Sequence, residues 1–176
     1  MQFIDLKAQY KRMEVEIQAG INNVLNHGKY IMGPEVSEIE NKLTHFTGTK
    51  YCISCASGTD ALLMSLMALD IGPGDAVFTT PFTFIATAEV IQLLGATPVF
   101  IDIDKHTFNI CPIKLEEKIN EVKSNSKLNL KAIIPVCLFG LPSDLITISD
   151  IAKKYNLKLI VDSAQGFGAR VKNKTS

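Results

Sequence analysis

Three short stretches of this chain pair reactive residue types with positions that can present them. Ser57-Gly58-Thr59-Asp60-Ala61-Leu62 follows a strand-like run and opens a helical one. A helix N-terminus offers unpaired N–H groups and a positive dipole end, which suit a phosphate. Gly58 lets the backbone approach closely and the Ser57 and Thr59 hydroxyls can donate, while the same residues also read as an ordinary N-cap. Pro81-Phe82-Thr83-Phe84 follows the next strand-like run, and Phe84 suits either the core or the face of a planar ring. Asp162 ends the apolar run Leu159-Ile160-Val161, where a carboxylate is expensive to bury without a partner. It is therefore a cap for the next turn or a ligand contact, and Gln165 close by can both donate and accept. The three strand ends would supply a phosphate cradle, an aromatic plate and an acid on one edge of a sheet. Pyridoxal phosphate (PLP) needs those three parts, with Asp162 favouring the protonated pyridine nitrogen so that the ring acts as an electron sink.

The elements that must position these residues are written in the periodicity. Strand-like runs lie at 51–56, 76–80, 98–103, 132–137 and 157–161. Helical spacing of apolar residues falls between them, near 59–69, 85–94, 113–122 and 144–155, the last with Ser143 as candidate N-cap. Strand, helix, strand repeated in this way implies right-handed βαβ units and an α/β fold with a mostly parallel sheet. Gly72-Pro73-Gly74-Asp75 and Gly95-Ala96-Thr97-Pro98 punctuate turns, and the polar stretch 123–129 reads as a surface loop. Ahead of the sheet, Tyr10, Met13, Ile17, Ile21, Val24 and Leu25 mark an amphipathic helix over 9–25 that ends at Gly28. A second helix opens at Pro34 and carries Val36, Ile39 and Leu43 on one face. The expected organisation is an N-terminal helical arm over 1–48 and an α/β domain over 49–176.

Composition narrows the function classes. The 18 basic and 18 acidic residues cancel and are scattered, which argues against a nucleic-acid stripe or a polybasic membrane patch. The start, Met1-Gln2-Phe3-Ile4-Asp5, lacks the pattern of a signal peptide, and no apolar run reaches the length of a membrane span, so a cytoplasmic location is expected. Cys52 and Cys55 form a C-x-x-C, but Cys111 and Cys137 stand alone, so buried structural thiols and no metal are expected. His27, His45 and His106 are widely separated and read as surface or helix-end residues. A dinucleotide-binding domain would fit the βαβ pattern but lacks G-x-G-x-x-G after the first strand.

The chain resembles the DegT/DnrJ/StrS-type sugar aminotransferases, which have the PLP fold type I architecture. The resemblance runs through Phe3-Ile4-Asp5-Leu6, Gly33-Pro34-Glu35-Val36, Ser57-Gly58-Thr59-Asp60-Ala61-Leu62 and Pro81-Phe82-Thr83-Phe84-Ile85-Ala86-Thr87. It continues through Gly95-Ala96-Thr97-Pro98-Val99-Phe100-Ile101-Asp102 and Val161-Asp162-Ser163-Ala164-Gln165. It looks closest to enzymes that aminate UDP-linked 3-oxo sugars, including the 3-oxo-glucuronate type. The resemblance implies PLP as cofactor, a nucleotide-linked keto sugar as substrate, an amino donor such as glutamate, and a homodimer whose subunits complete each site. It also implies a place in cell-surface polysaccharide or related sugar biosynthesis. Thr59 and Asp60, with Ser57 and Gly58, match the phosphate-binding turn, and Phe84 matches the aromatic stacked on the ring. Asp162 matches the pyridinium partner, Gln165 the residue near the ring's 3-hydroxyl, and Gly33-Pro34-Glu35 a segment bordering the sugar-nucleotide pocket.

One departure stands out. In the family a Ser-Phe-Phe-x-x-Lys motif carrying the Schiff-base lysine follows a short hairpin, whereas here the hairpin begins at Arg170-Val171-Lys172-Asn173-Lys174 and the sequence stops at Ser176. Lys172 and Lys174 precede that motif. The expectation is a chain without the Schiff-base lysine or the small C-terminal domain, inactive alone. The alternative is a non-catalytic binding or dimerisation module.

Overall fold

A computed structural model describes residues 4–171 and the backbone of residues 174 and 175. The chain divides into two compact units, Met1–Ser54 and Cys55–Ser176. In the first unit, α1 spans Leu6–His27, starting earlier than its apolar spacing because Asp5 caps it by accepting from the Ala8 N–H at 2.9 Å. Gly28 closes it in the left-handed conformation (φ 67°), donating to the Val24 carbonyl at 3.0 Å. Helix α2, Pro34–Thr47, opens on proline and closes at Gly48 in the same way. Neither helix buries a residue, and the row Tyr10, Met13, Ile21 and Leu25 of α1 is exposed.

Segment 51–56 is not the strand that its apolar residues suggest. A strand exists only where a neighbour completes its ladder, and no ladder partner occurs for it among the described residues. The Ser54 N–H and hydroxyl instead donate to the Glu40 carboxylate at 2.8 and 2.7 Å, and Tyr51 and Ile53 are exposed.

The second unit opens with α3, Gly58–Met67, and continues β1 Asp75–Thr79, α4 Ala86–Leu93, β2 Thr97–Phe100, α5 Pro112–Asn125 and β3 Asn129–Ile134. A 3₁₀ turn, Leu138–Gly140, leads to α6 Leu145–Lys154 and β4 Lys158–Leu159, followed by an antiparallel pair, β5 Arg170–Val171 and β6 Lys174–Thr175. This pair is the expected hairpin, with Lys172 and Asn173 outside the described residues. The main sheet is parallel with order β2-β1-β3-β4, registering Phe78 with Val99 and Ile133, and Ile133 with Leu159. The α/β class and parallel sheet are therefore as expected.

Alternate strand residues feed opposite faces, as the period of two requires. Val77, Ala132 and Ile134 pack with Leu62 and Leu66 of α3 and Val90 and Ile91 of α4. Phe78 and Ile133 pack with Leu115 and Ile119 of α5 and Ile148 and Ile151 of α6. Two boundaries differ from expectation. Helix α5 runs into the polar stretch as far as Asn125, because Leu115 and Ile119 anchor it and its charged turns face solvent. Asp144, not Ser143, caps α6 by accepting from the Thr147 N–H, whereas the buried Ser143 hydroxyl donates to the Val136 carbonyl.

Candidate functional site

Strand order fixes where a ligand fits. From β1 the chain crosses through α4 to β2 on one side, and from β3 it crosses through α6 to β4 on the other. The crevice beyond the C-terminal ends of β1 and β3 is therefore the topological switch point, where open α/β sheets bind ligands. The Thr79 hydroxyl ties the two strands there, donating to the Ile134 carbonyl at 2.9 Å.

Asp162 lies at this edge. Its backbone bridges the continuation of β3, donating to the Pro135 carbonyl and accepting from the Cys137 N–H, both at 2.9 Å. The cap expectation for its carboxylate holds, since Oδ1 accepts from the Ala164 N–H at 3.2 Å, and Oδ2 accepts from the Thr87 hydroxyl at 2.9 Å. Thr87 is buried on α4, 1% exposed, and 75 residues away in sequence. Because the Thr87 proton goes to a carboxylate oxygen, the 3.0 Å contact between Thr83 and Thr87 has Thr83 as donor. A relay, Thr83 to Thr87 to Asp162, thus holds the acid in one orientation.

Helix α3 joins β1 through residues 68–74, and its Leu62 and Leu66 share a core cluster with Val77 of β1. A helix returned to a strand by so short a connection runs back along it, which places its N-terminus toward the C-terminal edge. Ser57 is its N-cap: Oγ accepts from the Asp60 N–H at 3.1 Å and donates to the Asp60 carboxylate at 2.9 Å. The cap expectation therefore holds for Ser57 and not for Thr59, with the Asp60 carboxylate taking the proton of the capping hydroxyl. The Gly58 and Thr59 N–H groups and the Thr59 hydroxyl have no partner among the described residues, and the space around Gly58 is open within 4 Å. They are the donors left for an anion. Phe84 is 71% exposed in the turn before α4, so the core reading of this residue does not hold.

Gln165 Oε1 accepts from the Phe139 N–H at 2.7 Å. The turn between Asp162 and Gln165 sits tightly on β3: a side chain at Gly166 would place its Cβ 2.7 Å from that of Cys137, and the Ser163 hydroxyl donates to the Cys137 thiol at 3.6 Å. Phe139 also meets Phe82 and Phe108, with ring centroids 6.1–6.5 Å apart, so the loops after β1, β2 and β3 converge.

The model for the DegT/DnrJ/EryC1/StrS aminotransferase family matches residues 11–176. The chain belongs to this family. It is 52% identical over 176 residues to UDP-2-acetamido-2-deoxy-3-oxo-D-glucuronate aminotransferase of Pseudomonas aeruginosa, a match covering 100% of this chain and 47% of that protein. It is 46% identical over 167 residues to dTDP-3-amino-3,6-dideoxy-alpha-D-galactopyranose transaminase of Aneurinibacillus thermoaerophilus, covering 95% and 44%. A DegT DnrJ EryC1 StrS aminotransferase from Brucella abortus superimposes with a TM-score of 0.98 at 48% identity, covering 99% of this chain and 47% of that one. A Bacillus subtilis protein solved with bound cofactor PMP gives 0.86 at 36% identity, covering 96% and 37%. The chain thus spans just under half the length of the curated relatives it matches.

In this DegT/DnrJ/EryC1/StrS chain, Gly33, Pro34 and Glu35 lie in the first unit, where they join its two helices. A Cβ on Gly33 would stand 2.4 Å from the Lys29 carbonyl oxygen, so only glycine fits. Glu35 Oε1 accepts from Asn23 Nδ2 at 2.8 Å and from His27 Nε2 at 2.9 Å. Since His27 Nδ1 accepts from the Lys29 N–H, the proton of the neutral ring is on Nε2. The His27 hydrogen bond, followed by the residue's own N–H, holds the Glu35 carboxyl below its ordinary value. Of the four cysteines only Cys137 is buried; Cys111 is intermediate, and Cys52 and Cys55 are intermediate and exposed, respectively, because the expected strand around the C-x-x-C does not form.

Three contributors carried no role in the sequence reading: Thr87, Phe139 and Asn109. Thr87 shows no local signal, since its partner lies on another element. Phe139 precedes Gly140 in Leu138-Phe139-Gly140-Leu141-Pro142, a turn signature that could have marked a special backbone. A cleft of ≈ 530 Å³ lined by Asp104, Asn109, Cys111, Leu141, Asp144 and other residues touches the same loops, yet no candidate cofactor residue lines it.

Proposed function

We propose that this chain carries the PLP-binding face of an aminotransferase acting on a nucleotide-linked keto sugar. The observation that carries the reading is Asp162, held by Thr87 at the switch point, with the open α3 N-terminus at the same sheet edge. The residues present fit the cofactor: two unpartnered backbone donors with a neighbouring hydroxyl for a phosphate, an exposed aromatic, and an oriented acid. When bound, PLP supplies an electron sink that lets an amino group pass between carbon skeletons.

The protein's part is binding and orientation. Gly58 and Thr59 hold the phosphate through their N–H groups, aided by the α3 dipole. Phe84 covers one face of the ring. Asp162 keeps a proton on the pyridine nitrogen, and the Thr83–Thr87 relay prevents its carboxylate from turning away. Gln165 meets the ring's 3-oxygen. Gly33, Pro34 and Glu35 border the sugar-nucleotide pocket in this reading. The names of the relatives support a nucleotide sugar, with the UDP-linked 3-oxo-glucuronate type favoured by the 52% match. We assign no lysine of these 176 residues to the Schiff base. Self-association as a homodimer is part of the same proposal, supported by the uncovered apolar row of α1. Among the described residues, no helix is long and apolar enough to cross a membrane.

Titration of the purified chain with PLP, followed by absorbance and by borohydride reduction, tests the reading. Saturable binding that Asp162→Asn weakens about tenfold, as expected for a lost charge-assisted contact, supports it. A folded chain that binds no PLP would refute the site, and a reducible adduct on one specific lysine would refute the absence of a Schiff-base residue.

A further inference from the structure

Asn109 is 3% exposed, and its side-chain amide spans the turn at 138–141 from both ends. Oδ1 accepts from the Leu138 N–H at 3.2 Å, and Nδ2 donates to the Leu141 carbonyl at 3.0 Å. Asn109 is itself fixed, because its carbonyl accepts from the Asp104 N–H at 2.9 Å in the hairpin-like loop after β2. The clamped turn is not one a phenylalanine adopts unaided: Phe139 and Gly140 both have positive φ, 56° and 86°. For a side chain bearing a Cβ that region is strained, and the surroundings must hold it.

The product of this clamp is the position of one N–H. The Phe139 amide donates to Gln165, and since a backbone N–H can only donate, the atom facing it must be the side-chain oxygen. The orientation of the Gln165 amide follows. Its oxygen is occupied, and its NH₂ group has no partner among the described residues. Gln165, which by composition could donate or accept, is presented as a donor. A donor favours an ionised oxygen over a hydroxyl.

We propose that Asn109 is a positioning residue: by clamping the 138–141 turn it orients Gln165 as a hydrogen-bond donor and so selects the ionised 3-oxygen of a pyridoxal-type ring. The inference rests on the PLP-site reading above. Loss of the clamp frees the turn to leave the strained conformation, after which the Gln165 amide is no longer held in one orientation.

The test uses pyridoxine 5′-phosphate, which has the ring, the 3-hydroxyl and the phosphate but no aldehyde, so binding is independent of any lysine. Its ultraviolet spectrum reports ionisation of the 3-hydroxyl, titrated in complex with the full chain. The wild type should shift that equilibrium toward the ionised form relative to free ligand. Asn109→Ala should move it back about tenfold, as should Gln165→Leu, while Asn109→Ser, whose shorter hydroxyl reaches one partner only if the turn moves toward it, should fall between. Circular dichroism and the spectrum of bound ligand are read on the same samples, so that an unfolded Asn109→Ala is replaced by the serine variant. A folded Asn109 variant with wild-type ionisation of the bound ring overturns the positioning role and leaves the PLP site standing. If the wild type binds no pyridoxine 5′-phosphate, the PLP-site reading falls, and this proposal with it.

Discussion

At the scale of single residues, the site depends on hydroxyl and amide groups whose only task is to aim another group. Thr87 is the clearest case: it is buried, donates its one proton to Asp162 Oδ2 and receives that of Thr83. Replacing it with valine keeps the shape and removes the donor. The Asp162 oxygen and the Thr83 hydroxyl then each lose a partner, so Thr87→Val should lower stability by about 1–3 kcal/mol in chemical denaturation. It should also weaken PLP binding, because Asp162 loses the contact that fixes its orientation. An unchanged affinity would show that Ala164 alone aims the acid.

At the scale of elements, helix ends hold the chemistry. Ser57 and Asp60 close the α3 N-terminus upon themselves and leave the Gly58 and Thr59 donors outward, so capping and anion binding use different groups of one turn. In the first unit, Glu35 at the start of α2 binds Asn23 and His27 of α1. Its folded pKa lies below the ordinary 4.5, chiefly through the His27 bond. A carboxyl with a lowered folded pKa binds protons more readily when unfolded, so its stabilisation is complete above the unfolded pKa and is lost as pH falls through the folded one. Thermal unfolding of Glu35→Gln followed below pH 4.5 should accordingly show a shallower acid-induced loss than the wild type. Equal acid slopes would mean that the Glu35 network does not contribute.

At the scale of the whole molecule, exposed apolar surface is the dominant unfinished business. Tyr10, Met13, Ile21 and Leu25 of α1 and Phe82, Phe84 and Phe139 at the sheet edge all face solvent. Within each unit, exposed apolar residues of this kind mark interaction sites. Sedimentation equilibrium should show a dimer, with Met13→Glu combined with Ile21→Glu moving it toward monomer. A wild-type monomer at all concentrations would remove the homodimer from the proposal.

The sequence by itself determined the fold class and offered candidates for the site. Periods of two and 3.6 made the α/β sheet legible, and a chain that alternates strand and helix must bring the residues after each strand to one edge. Phe84, Asp162 and Gln165 could therefore be picked out as candidates after strand-like runs, and Ser57–Asp60 as a polar helix start. Only the tertiary structure decided what each of them is bonded to. Segment 51–56 has the side chains of a strand, but strand formation depends on a neighbour's backbone, which no local pattern encodes. The same holds for the bonds of Thr87 to Asp162, of Asn109 to the 138–141 turn, and of Phe139 to Gln165. These partners are 75, 32 and 26 residues apart, and a hydrogen bond needs a distance and an angle that spacing along the chain does not carry. The sequence names the acid and the amide, and the packing of α4 and the loops after β2 and β3 sets where they point.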